Sequence, residues 1–409
     1  MKAKLGKTFS LLNKLPALHL LCISVVVLTL IVPYSPAFAK NSKVTVMTRN
    51  LYLGADIFRV VEAAANPTSV PGVVAEVYQI MLETNFWARA EAIADEIAAA
   101  RPQVIGLNEV ETFCIQTPGD FMAGNTIKAS TVVIDFYKVL DAALKARGLH
   151  YQAFKVTNAD VELPMLDYAS PTYLSDVRMI DHDYILVQSG NAAALKTAGN
   201  YAVNLQLPIG PVTVSFNRGY VVVDVNIKGE DYRIACTHPE VRSAPGSVFR
   251  YVQSKQAQEL LAVLDSLSAA DPEPVIMVGD FNSSPEDVAG NYIHPVYGPL
   301  PYVPPYMQAT AAGYLDSWLL QNRRHDEGYT SGFDEFVSSP DPSMLDTRID
   351  LIFLDLLDLR VDRVKCDVVG DELSDMIPNP DPTPYYTGPY LWPSDHAGVV
   401  ADMQFKVPK

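Results

Sequence analysis

Two periods organise the apolar positions of this chain. Short apolar runs bounded by turn residues predict strands at "KVTVMTRNLYLG" (43–54), "VIGLNEVE" (104–111), "DHDYILVQ" (181–188) and "RGYVVVDVNI" (218–227). The same pattern marks "DYRIACTHPE" (231–240), "VIMVG" (275–279), "RIDLIFLD" (348–355) and "AGVVADMQF" (397–405). Lys228-Gly229-Glu230 reads as a hairpin turn between two of them. A 3.6-residue period predicts helices elsewhere. "NFWARAEAIADEIAAARPQ" puts Trp87, Ala90, Ile93, Ala94 and Ile97 on one face and stops at Pro102. "TVVIDFYKVLDAALKARG" (131–148), with Gly148 as its stop, and "VQSKQAQELLAVLDSLSAA" (252–270) read the same way. Strands and helices mix without strict alternation, and no repeat or low-complexity linker interrupts them. The expected class is α+β, with layered sheets covered by helices in one domain. Two stretches rich in Pro, Tyr and Gly, 291–307 and 377–393, are expected as loops beside strand ends.

The N-terminal stretch stands apart from this grammar. A basic segment with Lys2, Lys4, Lys7 and Lys14 precedes the apolar "LHLLCISVVVLTLIV", and "PYSPAFA" ends in a small-residue pattern. This is the layout of a secretory signal peptide, residues 1–39, with cleavage expected between Ala39 and Lys40. An uncleaved membrane anchor is the alternative. The expected location is secreted or periplasmic, with residues 40–409 as a single domain. The chain has 409 residues and 49% hydrophobic content, enough for a large core. After cleavage 27 basic side chains face 47 acidic ones, a net charge of −20. Such a surface disfavours nucleic acid as a bulk partner, although a local basic cleft is compatible with it. Cys114, Cys236 and Cys366 would remain, too few for a disulfide scaffold, though one pair is possible. Cys236, inside an apolar run, reads as a buried small hydrophobe.

The strand ends carry the chemistry. Asn50 ends the first strand, Glu109 ends "VIGLNE", and His238 ends "IACTH". Asp280 and Asn282 end "VIMVGDFN", Asp350 interrupts "RIDLIF", and Asp395-His396 precede the last strand. Each has an ordinary reading alone: a turn residue, a surface carboxylate, a core histidine. Together they place polar groups where strand ends on one sheet edge converge. Carboxylate and amide oxygens suit a hard divalent cation such as Mg²⁺, with Mn²⁺ or Ca²⁺ as alternatives. Histidines with carboxylates at hand suit proton transfer to and from water and a leaving oxygen.

The ordered set "TRNLYLG", "WARAEAIADEI…PQVIGLNEVE", "RGYVVVDVNI…YRIACTHPEV", "QAQELL", "VIMVGDFNSSPED", "TRIDLIFL" and "SDHAGVVADM" resembles the endonuclease/exonuclease/phosphatase superfamily. That group includes DNase-I-like nucleases, abasic-site endonucleases, inositol polyphosphate 5-phosphatases and neutral sphingomyelinases. The resemblance spans nearly all of residues 43–405. It implies a four-layer α/β/β/α sandwich, two mixed β-sheets face to face with helices outside, and a catalytic domain over residues 40–409. It implies that Glu109 is the principal Mg²⁺ ligand, with Asn50 beside it and Asp395 nearby. His396 becomes the base-side histidine held by Asp350, Asp280 positions or deprotonates water, and Asn282 holds a phosphate oxygen. His238 stabilises a phosphoryl oxygen or helps the leaving group. Asn108 stands where glutamine is common, and Pro239 follows His238 in place of leucine. No carboxylate partner for His238 is identifiable in the sequence. Arg178 reads as an ion-paired residue in preference to a phosphate contact.

Three functions follow. The first is a secreted Mg²⁺-dependent hydrolase of a phospholipid or sphingomyelin headgroup, or of another small phosphoester, with transient membrane-surface contact. The second is a secreted DNase-I-like endonuclease, which needs a basic groove. The third is a non-catalytic binding protein on the same fold, which would have lost part of the constellation. Fold alone does not choose among substrates.

Overall fold

A computed structural model describes residues 38–124, 127–209, 212–321, 326–380, 382 and 387–408. The expected signal peptide lies outside them up to Ala37, as do Tyr385 and Tyr386. The described helices are α1 (Phe58–Ala63), α2 (Val70–Glu83), α3 (Phe86–Ala100), α4 (Phe136–Ala146), α5 (Val248–Ala270) and α6 (Pro305–Ala311).

Two mixed sheets stack face to face between helices, as the α+β reading expects. The first has the strand order Arg360–Val369, Gly398–Pro408, Phe38–Asn50, Val104–Asn108, Leu174–Gln188, Thr112–Gln116, Thr131–Asp135. Its eighth strand, Tyr151–Leu166, also pairs with Leu174–Gln188. The second runs Leu315–Asp316, Asp350–Asp355, Val275–Asp280, Glu230–Thr237, Gly219–Ile227, Ala192–Asn200. Both faces of each sheet are covered, so central strands read as unbroken apolar runs. In "YVVVDV", Val221, Val223 and Val225 point between the sheets with Val44, Val104, Ile276 and Val278. Val222 points the other way, with Met277 and Phe353, against Leu260 and Leu264 of α5. The outer face of the first sheet packs Ile105, Leu107 and Leu186 under α2, α3 and α4. The Lys228-Gly229 turn forms as expected, joining Ile227 to Glu230 with both central residues at positive φ.

Several expectations change. Residues 131–148 are not one helix: Thr131–Asp135 is a strand and α4 begins at Phe136. The β-branched run Thr131 to Ile134 favours extended backbone, and Asp135 caps α4 by accepting from Lys138 N at 3.0 Å. Trp87 is 46% exposed, while Phe86 beside it is buried and stacks on Phe136 at 3.7 Å between centroids. The buried stripe therefore starts one residue earlier. Residues 291–307 are not a plain loop. Gly290–His294 and Gly298–Tyr302 form a hairpin, followed by α6. Tyr302 and Tyr306 are buried, and Tyr306 donates its hydroxyl to Asp316 Oδ2 at 2.9 Å. In 377–393, Trp392 is fully buried, stacks on Phe333 and donates Nε1–H to Ser339 O at 2.7 Å. It anchors the core and offers no rim. The strand Tyr151–Leu166 and helices α1 and α2 were not expected, although α2 buries Val70, Val74, Val77, Ile80 and Met81 at helical spacing. Cys114, Cys236 and Cys366 are buried and free.

Candidate active site

The register brings the polar strand ends together. Asn50 pairs with Asn108 across a parallel ladder, and Asp280 faces Asp350 across an antiparallel one. The two sheets meet closely here. A Cβ on Gly106 would lie 2.3 Å from the Val278 side chain, so only glycine lets the layers approach. Gly279 has φ +146°, and a Cβ there would lie 2.0 Å from Thr237 O. Asn108 then bridges the sheets. Its Oδ1 accepts from Asp280 N at 2.8 Å, and its Nδ2 donates to Asp183 Oδ1 at 2.7 Å and Thr237 O at 3.2 Å.

Around this bridge stand the acids and histidines. Asn50 Nδ2 donates to Glu109 Oε1 at 3.0 Å and Asp280 Oδ2 at 3.2 Å, while its Oδ1 accepts from Tyr52 N at 2.8 Å. Leu53 N–H holds the other Glu109 oxygen at 2.8 Å. His238 Nε2 lies 3.4 Å from Asp280 Oδ2 and 3.9 Å from Glu109 Oε1. His396 Nδ1 bonds Asp350 Oδ2 at 2.8 Å and lies 3.9 Å from Asp280 Oδ2. Asn282 N–H donates to Asp280 Oδ1 at 2.8 Å, and its Nδ2 donates to Pro239 O at 3.2 Å. Asp395 precedes His396, with Ser394 Oγ donating to Asn50 O at 2.9 Å. Buried Arg89 ties the surrounding loops by donating to Leu51 O, Tyr52 O, Thr84 O and Pro393 O. Tyr52, Glu109 and Asn282 all have left-handed backbone, φ 60°, 54° and 48°. Each such residue costs on the order of 1–3 kcal/mol and persists because neighbouring bonds over-determine it. All three lie at or just beyond the strand ends that carry the polar groups.

Electrostatics separate the acids. Asp280 sits well below the usual carboxylate range: burial opposes its charge, but the His238 hydrogen bond and both histidine charges outweigh it. Burial pushes Asp395 up to about 7, with Glu109 and Asp280 adding repulsion against the pull of His396 and Arg89. Asp350 is also raised by burial, eased by His396. His396 titrates well above its ordinary value; burial opposes the charge, but Asp350, Asp395 and Asp280 surround it. His238 is raised as well, burial and Arg218 opposing while Asp280 and Glu109 favour its charge.

This donor set fits a hard divalent cation. Glu109 and Asp395 are acidic oxygens whose mutual repulsion a cation relieves, and Asn50 sits beside them. Asp280, Asp350 and His396 also have ligand atoms within 4.8 Å of one another. His396 Nδ1 is already committed to Asp350, so that trio reads as an acid–base set.

The sequence reading missed two residues here. Arg218 Nη1 donates to His238 Nδ1 at 2.9 Å, where a carboxylate was sought. That leaves the His238 proton on Nε2, facing Asp280. The signal was a charged residue heading an apolar strand. Asn108 bridges the sheets, where it was read only as a mild substitution. Arg178 is ion-paired with Asp160 at 2.7 Å, as expected.

The loop behind Asn282 rests on a buried ion cluster. Asp287 accepts from Arg250 Nη1 at 2.8 Å, Arg242 Nη2 at 3.0 Å and Ser284 N at 3.0 Å. Burial would raise its pKa, but both arginines hold it below the ordinary value. Asp287→Ala is expected to destabilise the fold by about 3–5 kcal/mol, the scale for leaving a buried partner unpaired. The urea midpoint measures it. The depressed pKa makes this stabilisation present above the unfolded carboxylate pKa, and lost as pH falls through the folded one. The wild-type and Asp287→Ala midpoints should therefore converge in acid.

The chain belongs to the Endonuclease/Exonuclease/phosphatase family, whose model matches residues 84–396. It is a metal-dependent phosphoester hydrolase of that class. No curated protein matches the sequence. A family member from Bacteroides thetaiotaomicron is similar in fold at TM-score 0.51 and 15% identity, over 90% of this chain and 100% of that one. The human Nocturnin catalytic domain matches at TM-score 0.48 and 16% identity, over 90% and 96%. Truncated Caenorhabditis elegans TDP2 matches at TM-score 0.45 and 15% identity, over 89% and 98%.

Proposed function

We propose that this protein is a secreted or periplasmic Mg²⁺-dependent phosphodiesterase acting on a phospholipid or sphingomyelin headgroup, or on another small phosphoester. The observation that carries the hydrolytic reading is Asp280 Oδ2 set 3.4 Å from His238 Nε2 and 3.9 Å from His396 Nδ1, beside Glu109. Glu109 and Asp395, with Asn50 adjoining, would hold Mg²⁺, which would supply neutralisation of phosphoryl charge. Asp280 orients the attacking water. His396, fixed through Nδ1 by Asp350, presents Nε2 to the reacting phosphoester. His238 presents its Nε2–H to the same centre. Asn282 keeps one amide N–H beyond its bond to Pro239 O, for a phosphoryl oxygen.

The arginines argue for a small or lipid substrate over a polynucleotide. Arg89 is spent on carbonyls, Arg218 on His238, and Arg242 and Arg250 on Asp287. None of them forms part of a track for a phosphate backbone. The hairpin Gly290–Tyr302 exposes Ile293, Val296 and Tyr297, and Tyr302 Oη accepts from Gly246 N in the loop beyond His238. Its tip supplies the membrane-surface contact. A panel of sphingomyelin, lysophospholipid, inositol phosphates, DNA and RNA, with Mg²⁺ and with EDTA, tests the reading. A choline- or inositol-type phosphoester is expected to be cleaved faster than DNA. Efficient DNA cleavage with steep salt dependence and no lipid hydrolysis favours the endonuclease instead.

A further inference from the structure

A second feature adjoins the site. Between α1–α2 and the outer face of the first sheet lies an apolar pocket of about 80 Å³ that opens to solvent. Val60, Val74, Val77 and Met81 form the helical wall, and Leu163 and Val177 part of the sheet wall. Among its lining residues only Tyr78 carries a side-chain oxygen or nitrogen. Such a space inside a fold is unusual, because unfilled apolar walls forfeit dispersion contacts.

The pocket touches the catalytic edge at both ends. Leu53 lines it, and the Leu53 backbone N–H is the one that holds Glu109. Phe216 lines it two residues before Arg218, which holds His238. Helix α1, part of the wall, also reaches across: Phe58 meets Phe249 edge-on at 5.9 Å, just beyond the loop that follows His238. The pocket wall and the catalytic edge therefore share the Leu53 segment and the Phe216–Arg218 segment.

We propose that this pocket receives a hydrocarbon chain of the phosphoester that the site cleaves. The inference rests on the phosphodiesterase reading above and specifies its substrate as one that carries a linear apolar chain. A nucleobase or sugar does not suit the walls, since its N–H, C=O and hydroxyl groups would be buried without partners. An alkyl chain needs none. Burial of its methylenes then adds binding energy remote from the phosphorus, which serves to position the diester.

A series of p-nitrophenyl alkyl phosphodiesters, methyl to decyl and below their micellar concentrations, tests this with Mg²⁺ present. kcat/KM is expected to rise about threefold to fourfold per added methylene, the scale for a buried CH₂, and then to level off as the pocket fills. Val61→Trp and Met179→Trp, at half-buried wall positions, should flatten the series and leave the methyl ester unaffected. A flat wild-type series, or the same rise in folded plugged variants, overturns the proposal; the latter indicates adsorption elsewhere. If the plugged variants do not fold, calorimetry on the wild type decides. Decylphosphonate should then bind at least about 10²-fold tighter than methylphosphonate, the product of a few buried methylenes, and equal affinities overturn the pocket. No hydrolysis of the methyl ester at all overturns the phosphodiesterase reading, while the calorimetric arm still judges the pocket.

Discussion

Asp280→Asn is expected to lower turnover by about 10²–10⁴-fold, the range for a positioned proton-transfer group. His396→Ala should fall in the same range. Asp280 stays ionised because both histidines face it, so the amide removes the anion that orients water between them. His396 owes its raised pKa to Asp350, Asp395 and Asp280, and its ring is fixed by the 2.8 Å bond to Asp350. The two groups serve one event. The double variant should therefore lose far less than the product of the single losses. Steady-state rates on a soluble phosphodiester, with thermal melts to confirm folding, measure this. Near-normal turnover in either single variant would place the chemistry elsewhere.

Glu109→Gln is expected to cost about 10²–10³-fold in turnover, on the scale of losing one group that stabilises transition-state charge. EDTA should abolish activity in the wild type. The fold should largely tolerate the change, because the glutamine Oε1 still accepts one of the two hydrogen bonds that Asn50 and Leu53 donate to Glu109. It also relieves the repulsion that lifts Asp395. The lost acceptor and the relieved repulsion oppose each other, so the metal-free melting temperature is expected to stay close to that of the wild type. Protons and cation compete at Asp395, whose pKa in the absence of metal is pushed up to about 7. Mg²⁺ affinity should accordingly tighten as pH rises from 6 to 8, a direction that calorimetry reads without any substrate. Full activity in EDTA would remove the metal from the mechanism.

Much of this protein is written locally. Apolar runs such as "VIMVG" and "YVVVDV" specify strands buried on both faces, and the polar residues at their ends follow directly from where each run stops. Hence Asn50, Glu109, His238, Asp280, Asn282, Asp350, Asp395 and His396 could be singled out from one sequence, and the ordered motifs placed them in a four-layer sandwich. The Asn226–Asp231 turn was equally local, because Lys228-Gly229 selects it. Other features depend on which surfaces meet. Arg218 and His238 lie on neighbouring strands, and only the ladder brings Nη1 to Nδ1. Asn108 reaches Asp280 only because Gly106 lets two sheets from distant parts of the chain touch. Trp392 sits in a Pro- and Tyr-rich run that looks like a surface rim, yet Phe333, nearly sixty positions earlier, stacks on it in the core. The apolar pocket is likewise a gap between α1–α2 and a sheet assembled later in the chain. Periodicity encodes what each segment wants to bury, whereas partners and gaps are decided by non-local packing, and it is this packing that placed the arginine on His238 and opened the cavity beside Glu109.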